Sequence, residues 1–303
     1  MPTSVLPVSP TKAPAAARYL SCLRPQEILV LQGSPLLGAA FAIRDVGAKH
    51  VTALAILVIA NMCLVAHIFL INDWSNLTSD LADPHKSARV FTARGVGRGE
   101  LGVLAIGLLG LSLILFSILN PLTLVLSLAI AVLSALYSLS PFNWKGRPLL
   151  NTVAHLVGGA VHFLLGYSIW NPIDASALTI ATFFAVSFAA GHLTQEIRDY
   201  DGDVLNGIGT NAVMFGPRRT FIASFALFTL AHALLFALAL QGIVPRPLAA
   251  LVFLYPIYVR WSLEALADGL TYTSIHRLQT RYRALYAVIG LCWLYESCRF
   301  GVI

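Results

Sequence analysis

The stretch INDWSNLTSD, residues 71–80, decides the fold because a long apolar segment ends here in a cluster of polar side chains. The cluster consists of Asn72, Asp73, Asn76 and Asp80. Offsets of three and seven residues from the first acid place these side chains on one face of a helix. Ionisable groups beside lipid are costly and are typical of functional sites.

The same arrangement returns 123 residues later in QEIRDYDGD, residues 195–203. Gln195 and Glu196 repeat the amide beside an acid, and Asp199 and Asp203 follow at the same offsets. Clusters that only solvate a helix end or pair with nearby Arg and Lys have no need to share one spacing. The repetition therefore predicts two polar faces that converge on a cation bridging a polyanionic ligand.

The composition indicates an integral membrane protein. Hydrophobic residues make up 57% of the 303 residues and charged residues only 11%, whereas a soluble domain carries about 25% charged residues. Apolar segments of roughly twenty residues are long enough to cross about 30 Å of hydrocarbon. We expect an all-α membrane protein with nine transmembrane helices, at residues 25–43, 50–71, 99–118, 121–139, 149–169, 175–193, 220–240, 247–264 and 284–300.

A second landmark shares the 123-residue offset, because Arg24-Pro25 opens the first helix and Arg147-Pro148 opens the fifth. This predicts two parallel four-helix repeats around a central cavity, followed by a ninth helix. Residues 1–17 are rich in Pro, Ala, Ser and Thr and contain no acid, which predicts a disordered tail. We expect one transmembrane domain over residues 18–303, with repeat 1 at about 18–140, repeat 2 at about 141–264 and the ninth helix at about 284–300.

The lysines and arginines predict the orientation of the chain in the membrane. With the N-terminus inside, sixteen of these twenty residues fall on the cytoplasmic side, and only Arg44, Lys49, Arg246 and Arg299 fall outside. Both acid clusters are then cytoplasmic. The net charge of +6 therefore describes loops that face anionic lipid or an anionic substrate rather than nucleic acid. The four cysteines form no CxxC pair, which argues against a disulfide framework or a zinc site.

The polar loops contain the groups that a metal-bound diphosphate requires. Mg²⁺ prefers oxygen ligands and commonly bridges one or two carboxylates to substrate phosphates. Lysine and arginine side chains bind phosphate oxygens directly. The candidate cations are Lys86, Arg89, Arg94, Lys145 and Arg198. Because the acids open into an apolar helical cavity, we expect the rest of the ligand to be a hydrocarbon such as an isoprenoid chain.

Together these residues resemble the motifs of a known family. The motifs at 72–80 and 195–203 resemble the two aspartate-rich motifs of the UbiA superfamily of intramembrane prenyltransferases. The resemblance covers most of the chain. It extends to Leu23-Arg24-Pro25, Arg94-Gly95, Leu136-Tyr137-Ser138, Gly207, Thr210 and Tyr282-Arg283.

The resemblance implies a magnesium-dependent enzyme that ionises a prenyl diphosphate and directs the allylic cation onto a small aromatic or other electron-rich acceptor. It implies catalytic roles for Asp73, Asp199 and Asp203. The implied metal contacts are Asn72, Asn76, Asp80, Glu196, Asp199 and Asp203. The implied diphosphate contacts are Lys86, Arg89, Arg94, Lys145 and Arg198. Tyr137 and Ser138 would line the cavity near the reacting carbon, and His155 and His162, seven residues apart on one helix, would border it.

Two departures from the family pattern leave alternatives open. The family usually has Asp where this chain has Asn76, and commonly Asp where it has Glu196. An Asn removes one negative charge from the first motif and is also found in metal motifs of terpene cyclases, so cyclisation without an acceptor remains an alternative. A transporter is a third alternative, although clustering of the acids at one membrane face argues against it. The first helix offers Gln26, Glu27 and Gln32 but no cation, which argues against a carboxylated acceptor.

Overall fold

The apolar segments of the sequence form helices throughout the described chain. The structure, a computed structural model, describes residues 14–43 and 47–299. Within these residues it contains fourteen α-helices, four 3₁₀ helices and no strand. The α-helices are α1 (Ala15–Cys22), α2 (Pro25–Val30), α3 (Gly33–Ala42), α4 (Ala48–Ser75), α5 (Leu77–Ala82), α6 (Arg98–Leu119), α7 (Pro121–Ser138), α8 (Leu150–Tyr167), α9 (Ala175–Arg198), α10 (Tyr200–Leu205), α11 (Asn211–Phe215), α12 (Pro217–Leu240), α13 (Tyr255–Ala267) and α14 (Tyr272–Arg299). The 3₁₀ helices are Ser87–Arg89, Phe91–Arg94, Trp144–Gly146 and Arg246–Leu254.

Six helical segments are long and apolar enough to cross a membrane, counted over the described residues and judged by length and composition alone. The prediction of an all-helical membrane fold is confirmed, and the count of nine crossing helices is not. The six segments are Ala48–Ser75, Arg98–Leu119, Pro121–Ser138, Ala175–Arg198, Pro217–Leu240 and Arg246–Ala267.

The predicted first span, residues 25–43, is divided into α2 and α3. The Gln32 side chain donates a hydrogen bond to the Ile28 carbonyl at 2.9 Å, and Gly33 and Pro35 follow the break. A proline has no backbone donor and a glycine loses much backbone freedom in a helix, so both residues favour a break here. The fifth and ninth predicted spans correspond to α8 and to the second half of α14, both of which carry polar side chains.

The N-terminal helix α1 begins at Ala15, inside the segment predicted to be a disordered tail. Residues 1–13 of that tail, and Arg44 of the predicted outer loop, lie outside the described residues. Arg18 on α1 donates to the Gly95 carbonyl at 2.6 Å. The helix thus contacts the long loop that follows the first acid motif.

The 123-residue repeat is visible in the bounds of the helices. α4 ends at Ser75 and α9 ends at Arg198, and each is followed after one residue by a six-residue helix. These short helices, α5 and α10, begin and end at positions that are 123 residues apart. The connecting residues, Asn76 and Asp199, have nearly the same backbone angles, φ −93° and ψ 7° against φ −89° and ψ 6°. The two motifs therefore have one local backbone structure.

Close packing of α8 against its neighbours forms one wall of the interior. A Cβ atom at Gly159 would lie 2.7 Å from the Phe184 carbonyl oxygen and 2.8 Å from Cβ of Phe188. Glycine at this position therefore allows the α8 and α9 backbones to approach. Because α9 carries the second acid motif at its C-terminal end, this packing fixes the motif relative to α8.

Candidate active site

The two acid motifs lie at the C-terminal ends of α4 and α9, where each chain turns into a short helix. The Asp80 amide donates to the Asn76 carbonyl at 2.8 Å, and the Asp203 amide donates to the Asp199 carbonyl at 2.9 Å. Each motif therefore presents its last acid one turn beyond the bend. The structure brings these last acids together, since Asp80 and Asp203 line one recess between α5 and α10.

Lysines from two different loops enter the same recess. Lys86 and Lys145 line it together with the two acids. Lys86 Nζ lies 3.2 Å from Asp199 Oδ2 and 3.4 Å from Asp83 Oδ2. Burial would lower the pKa of Lys86, but the negative charges of Asp199, Asp80 and Asp83 outweigh burial and hold that pKa above its ordinary value. The ammonium group thus links the first motif to the second across 113 residues of sequence.

The pKa values of the acids show that the recess favours a cation. Burial raises the pKa of Asp203 to about 6, with Lys145 partly opposing the effect and Asp199 adding to it. Burial also raises the pKa of Asp80. At Asp199 burial is outweighed by Arg198 and Lys86, which hold the pKa of that carboxyl below its ordinary value. Carboxylates that are buried with too little positive charge are suited to binding a metal ion.

The donor set fits Mg²⁺ in kind, since it consists of carboxylate and amide oxygens. Across residues 14–43 and 47–299, no group of three His, Cys, Asp or Glu side chains is already gathered at metal-binding distance. Asp80 and Asp203 line the recess, Asp199 pairs with its Lys86, and Asn76 lies at the bend after α4.

Each of the two acid motifs contains an acid that pairs with an arginine. Arg198 donates to both oxygens of Asp199, at 2.8 and 3.2 Å, and to Gln279 on α14 at 2.9 Å. Arg24, at the start of α2, pairs with Asp73. Asp73 is therefore paired with an arginine, and it is not among the residues that line the recess with Asp80 and Asp203.

The two remaining predicted diphosphate contacts, Arg94 and Arg89, differ in how exposed their side chains are. Arg94 is partly buried and acts electrostatically on Asp73. The side chain of Arg89 is exposed, and among the described residues it has no ion-pair partner. The structure thus brings Lys86 and Lys145 into the recess, connects Arg198 to Lys86 through Asp199, and leaves Arg89 at the surface.

Glu196, for which the resemblance implied a metal contact, is not among the residues that line the recess. Its Oε1 accepts from Asn151 at 2.5 Å, and both of its oxygens accept from Asn211, at 3.2 and 3.0 Å. The side chain is only 4% exposed. Amide donors from α8 and α11 therefore hold both oxygens of this carboxylate, which makes it an anchor of the fold around the site.

The two residues expected at the reacting carbon, Tyr137 and Ser138, lie beside the first acid motif and α8. Ser138 accepts a hydrogen bond from Asn72 Nδ2 at 3.3 Å. The rings of Tyr137 and His155 meet edge to face, with centroids 5.1 Å apart. His162 lies deeper, where its Nε2 contacts Asn61 Oδ1 at 2.8 Å. Since seven residues of α-helix span about 10 Å, His162 is about that far from His155 along α8.

Comparison with known proteins identifies the fold and the family. A sequence model of the UbiA prenyltransferase family matches residues 34–271. The chain belongs to the UbiA prenyltransferase family. The match contains both acid motifs and helices α7, α8 and α9.

Two curated relatives of this UbiA family member have described activities. A lycopene elongase/hydratase from Haloferax volcanii is 29% identical over 282 residues, which is 90% of this chain and 86% of the relative. A chloroplastic 2-acyl-4-prenylphloroglucinol 6-prenyltransferase from Humulus lupulus is 23% identical over 150 residues, which is 44% of this chain and 36% of that enzyme.

Solved structures show the same UbiA fold. A UbiA homologue from Archaeoglobus fulgidus bound to GPP and Mg²⁺ superposes with a TM-score of 0.74, covering 94% of this chain and 99% of the other at 20% identity. The same homologue bound to DMAPP and Mg²⁺ gives the same score. At this identity the likeness establishes the fold.

Several residues of the site were missed by the sequence reasoning. Asp83 is 4% exposed and contacts Lys86. The 123-residue offset pairs it with Asn206, which lines the same recess, so extending the repeat by three residues would have found both. Asn151 and Asn211 were missed because single asparagines, unlike the evenly spaced acids, belong to no repeated pattern.

Proposed function

We propose that this UbiA family member catalyses the magnesium-dependent transfer of a prenyl group from a prenyl diphosphate to an apolar acceptor within the membrane. The observation that carries the proposal is the recess between α5 and α10. It combines Asp80 and Asp203 with Lys86 and Lys145 at the ends of two equivalent helices. Acids that take up metal ions and lysines that take up phosphate oxygens are the two halves of a diphosphate site.

The residues that would hold Mg²⁺ are Asp80, Asp199 and Asp203, assisted by the amides of Asn72 and Asn76. The metal would supply charge stabilisation for the departing diphosphate. Lys86, Lys145 and Arg198 would bind its oxygens, and Arg94 would add positive charge from the first loop. In the reaction the allylic C–O bond breaks and its electron pair leaves with the diphosphate. Fixed cations in a water-excluded site favour that separation of charge.

The use of a prenyl diphosphate as donor is supported by the Archaeoglobus fulgidus homologue, which was solved with GPP and with DMAPP, each together with Mg²⁺. Tyr137 and Ser138 border the interior directly beside the first acid motif. We infer that the allylic carbon lies next to them. Apolar helices around it would protect the cation from hydrolysis.

For the acceptor we propose a polyene hydrocarbon. The lycopene elongase/hydratase of Haloferax volcanii aligns over nearly the whole chain. In addition, α7 and α8 form an apolar groove of about 190 Å³, lined by residues such as Leu133, Leu136 and Val157. Arg283 donates to Glu27 on α2 at 2.9 Å, so it is already paired and is poorly suited to holding a carboxylated acceptor.

A phenolic acceptor is the second candidate, and the observation that favours it is the partial match to the Humulus lupulus prenyltransferase. Cyclisation of the donor without an acceptor is a third. We also propose that the recess faces the cytoplasm, as the distribution of Lys and Arg indicates.

The test uses the purified full-length protein in lipid nanodiscs with Mg²⁺ and either dimethylallyl or geranyl diphosphate. Products are identified by mass spectrometry with lycopene, with a phloroglucinol, or with no acceptor. We expect diphosphate release together with an elongated polyene. A prenylated phenol would replace the polyene proposal with the second candidate, and a cyclic terpene formed without acceptor would replace it with the third. Inertness towards both donors would refute prenyl transfer.

A further inference from the structure

Two histidines that the diphosphate site does not use meet beside Tyr137. The rings of His155 and His192 are stacked with centroids 3.7 Å apart and an angle of 8° between their planes. His155 lies on α8 and His192 on α9, so the pair joins the two helices that form the inner wall. Tyr137 approaches both rings edge to face, at 5.1 and 6.1 Å. The pair therefore borders the place where we infer the allylic carbon.

The hydrogen bonding of His155 fixes which of its nitrogens carries the proton. Nδ1 lies 2.9 Å from the Asn151 carbonyl oxygen, four residues earlier on the same helix. A carbonyl oxygen only accepts, so Nδ1 is the donor and the neutral ring has its lone pair on Nε2. Within residues 14–43 and 47–299, Nε2 has no hydrogen-bond partner. A free lone pair is thus directed away from the helix backbone.

The second ring connects this lone pair to a buried carboxyl group. His192 Nε2 lies 3.1 Å from Glu196 Oε1, although the two groups lack the alignment of a hydrogen bond. Both side chains are about 95% buried. Glu196 is held in place by Asn151 and Asn211. A positive charge that arose on the stacked rings would therefore meet a fixed carboxylate in a region from which water is largely excluded.

We propose that His155 is the base that accepts the proton released during prenyl transfer, and that His192 and Glu196 position it and stabilise its charged form. The inference rests on the proposed function. After the allylic C–O bond has broken, the allylic carbon forms a C–C bond to a double bond of the acceptor, which leaves a cation on the acceptor. An adjacent C–H bond then breaks, its electron pair forms a new double bond, and the proton passes to the Nε2 lone pair.

The same lone pair serves if water captures the acceptor cation. The water oxygen then forms the C–O bond and one of its protons passes to Nε2, which yields an alcohol. His162 is less suited to either role because it lies about 10 Å further along α8.

The first test replaces His155 with Gln in the full-length protein and measures two products separately. Loss of a general base costs about 100-fold or more in rate, so formation of the elongated polyene should fall by at least that factor. Release of diphosphate should change by less than about threefold, because the diphosphate site is intact. The acceptor cation that keeps its proton should then revert to the acceptor and the allylic cation, which meets water and appears as prenyl alcohol.

His232→Gln is the matched control. His232 is also a helix-internal histidine whose Nδ1 lies 2.8 Å from the carbonyl oxygen four residues earlier, but it packs on Tyr255 and Tyr258 away from the pair. This variant should keep both wild-type rates. Equal losses of transfer and diphosphate release in His155→Gln, or transfer at the wild-type rate, would overturn the proposal.

A second variant separates the positioning role from folding. His192→Phe keeps a ring stacked on His155 but removes the imidazole beside Glu196. We expect kcat for transfer to fall by about tenfold or more, with KM for the donor and the midpoint of thermal unfolding unchanged. An unchanged kcat would overturn the role of His192. If the wild-type protein releases no diphosphate with Mg²⁺ and either donor, the proposed function itself fails. That result differs from a variant that releases diphosphate without transferring the prenyl group.

Discussion

Replacing Asp203 with Asn removes a buried carboxyl group whose folded-state pKa is raised to about 6. The ordinary value is 3.8, so the shift is about 2 pKa units, or about 3 kcal/mol at 1.36 kcal/mol per unit. Because the folded-state pKa is the higher one, ionisation disfavours the folded metal-free protein. The cost is absent below pH 4, grows between pH 4 and 6, and is complete above about pH 7.

The variant should therefore be more stable than wild type without metal at pH 8, and equally stable at pH 4. For a chain of this length, 3 kcal/mol corresponds to roughly 5 °C in the unfolding midpoint. A thiol-reactive dye reports the transition, since Cys22 and Cys63 are buried. Adding Mg²⁺ should reverse the order at pH 8, because the wild-type protein gains a metal ligand and the variant does not.

Asp201→Asn is the control, because Asp201 is exposed on the same short helix. It should leave the midpoint unchanged at both pH values and should keep the response to Mg²⁺. A midpoint for Asp203→Asn that is lower than wild type at pH 8 without metal would refute the reasoning, as would an equal stabilisation of both proteins by Mg²⁺.

Three further predictions concern the same recess. Lys86→Met should lower kcat for diphosphate release by about 100-fold, the usual effect of removing one group that stabilises developing charge. Single-turnover kinetics would measure this rate. An unchanged rate would mean that Lys86 only links the loops. Asn76→Asp restores a carboxylate to the first motif and should tighten Mg²⁺ binding about tenfold, or by about 1.4 kcal/mol. Isothermal titration calorimetry would measure this affinity. Equal affinity in the two proteins would show that Asn76 does not contribute to the metal site. Gly202→Ala should lower the unfolding free energy by about 1–3 kcal/mol, because its Cβ would collide with the Asp83 carboxylate, and Asp83→Ala should relieve most of that loss in the double variant.

The sequence was sufficient to predict the polar ends of α4 and α9, because a duplicated spacing constrains geometry without any knowledge of the rest of the chain. Asn76 and Asp199 do adopt matching backbone angles. The break between α2 and α3 was not predicted, since hydropathy alone joins residues 25–43 into one apolar run. The break depends on Gln32, whose amide finds partners at Ile28 and Asn61.

The environment of Glu196 could not be predicted either. Its partners Asn151 and Asn211 are 45 and 15 residues away, and neither belongs to a recognisable motif. Sequence spacing shows which side chains share a helix face, but not which other helix faces them. The stacking of His155 on His192 has the same origin, because it results from the packing of α8 against α9.

The duplicated motif divides into unlike halves once these contacts are considered. In the first repeat the acid beside the amide, Asp73, pairs with Arg24. In the second repeat its counterpart Glu196 meets neutral amides and lies 3.1 Å from His192. An arginine carries its positive charge permanently, whereas an imidazole becomes positively charged only after gaining a proton. The proposed proton transfer uses this difference, because a proton that reaches the stacked rings in the second repeat would meet a buried carboxyl group whose partners are amides and an imidazole.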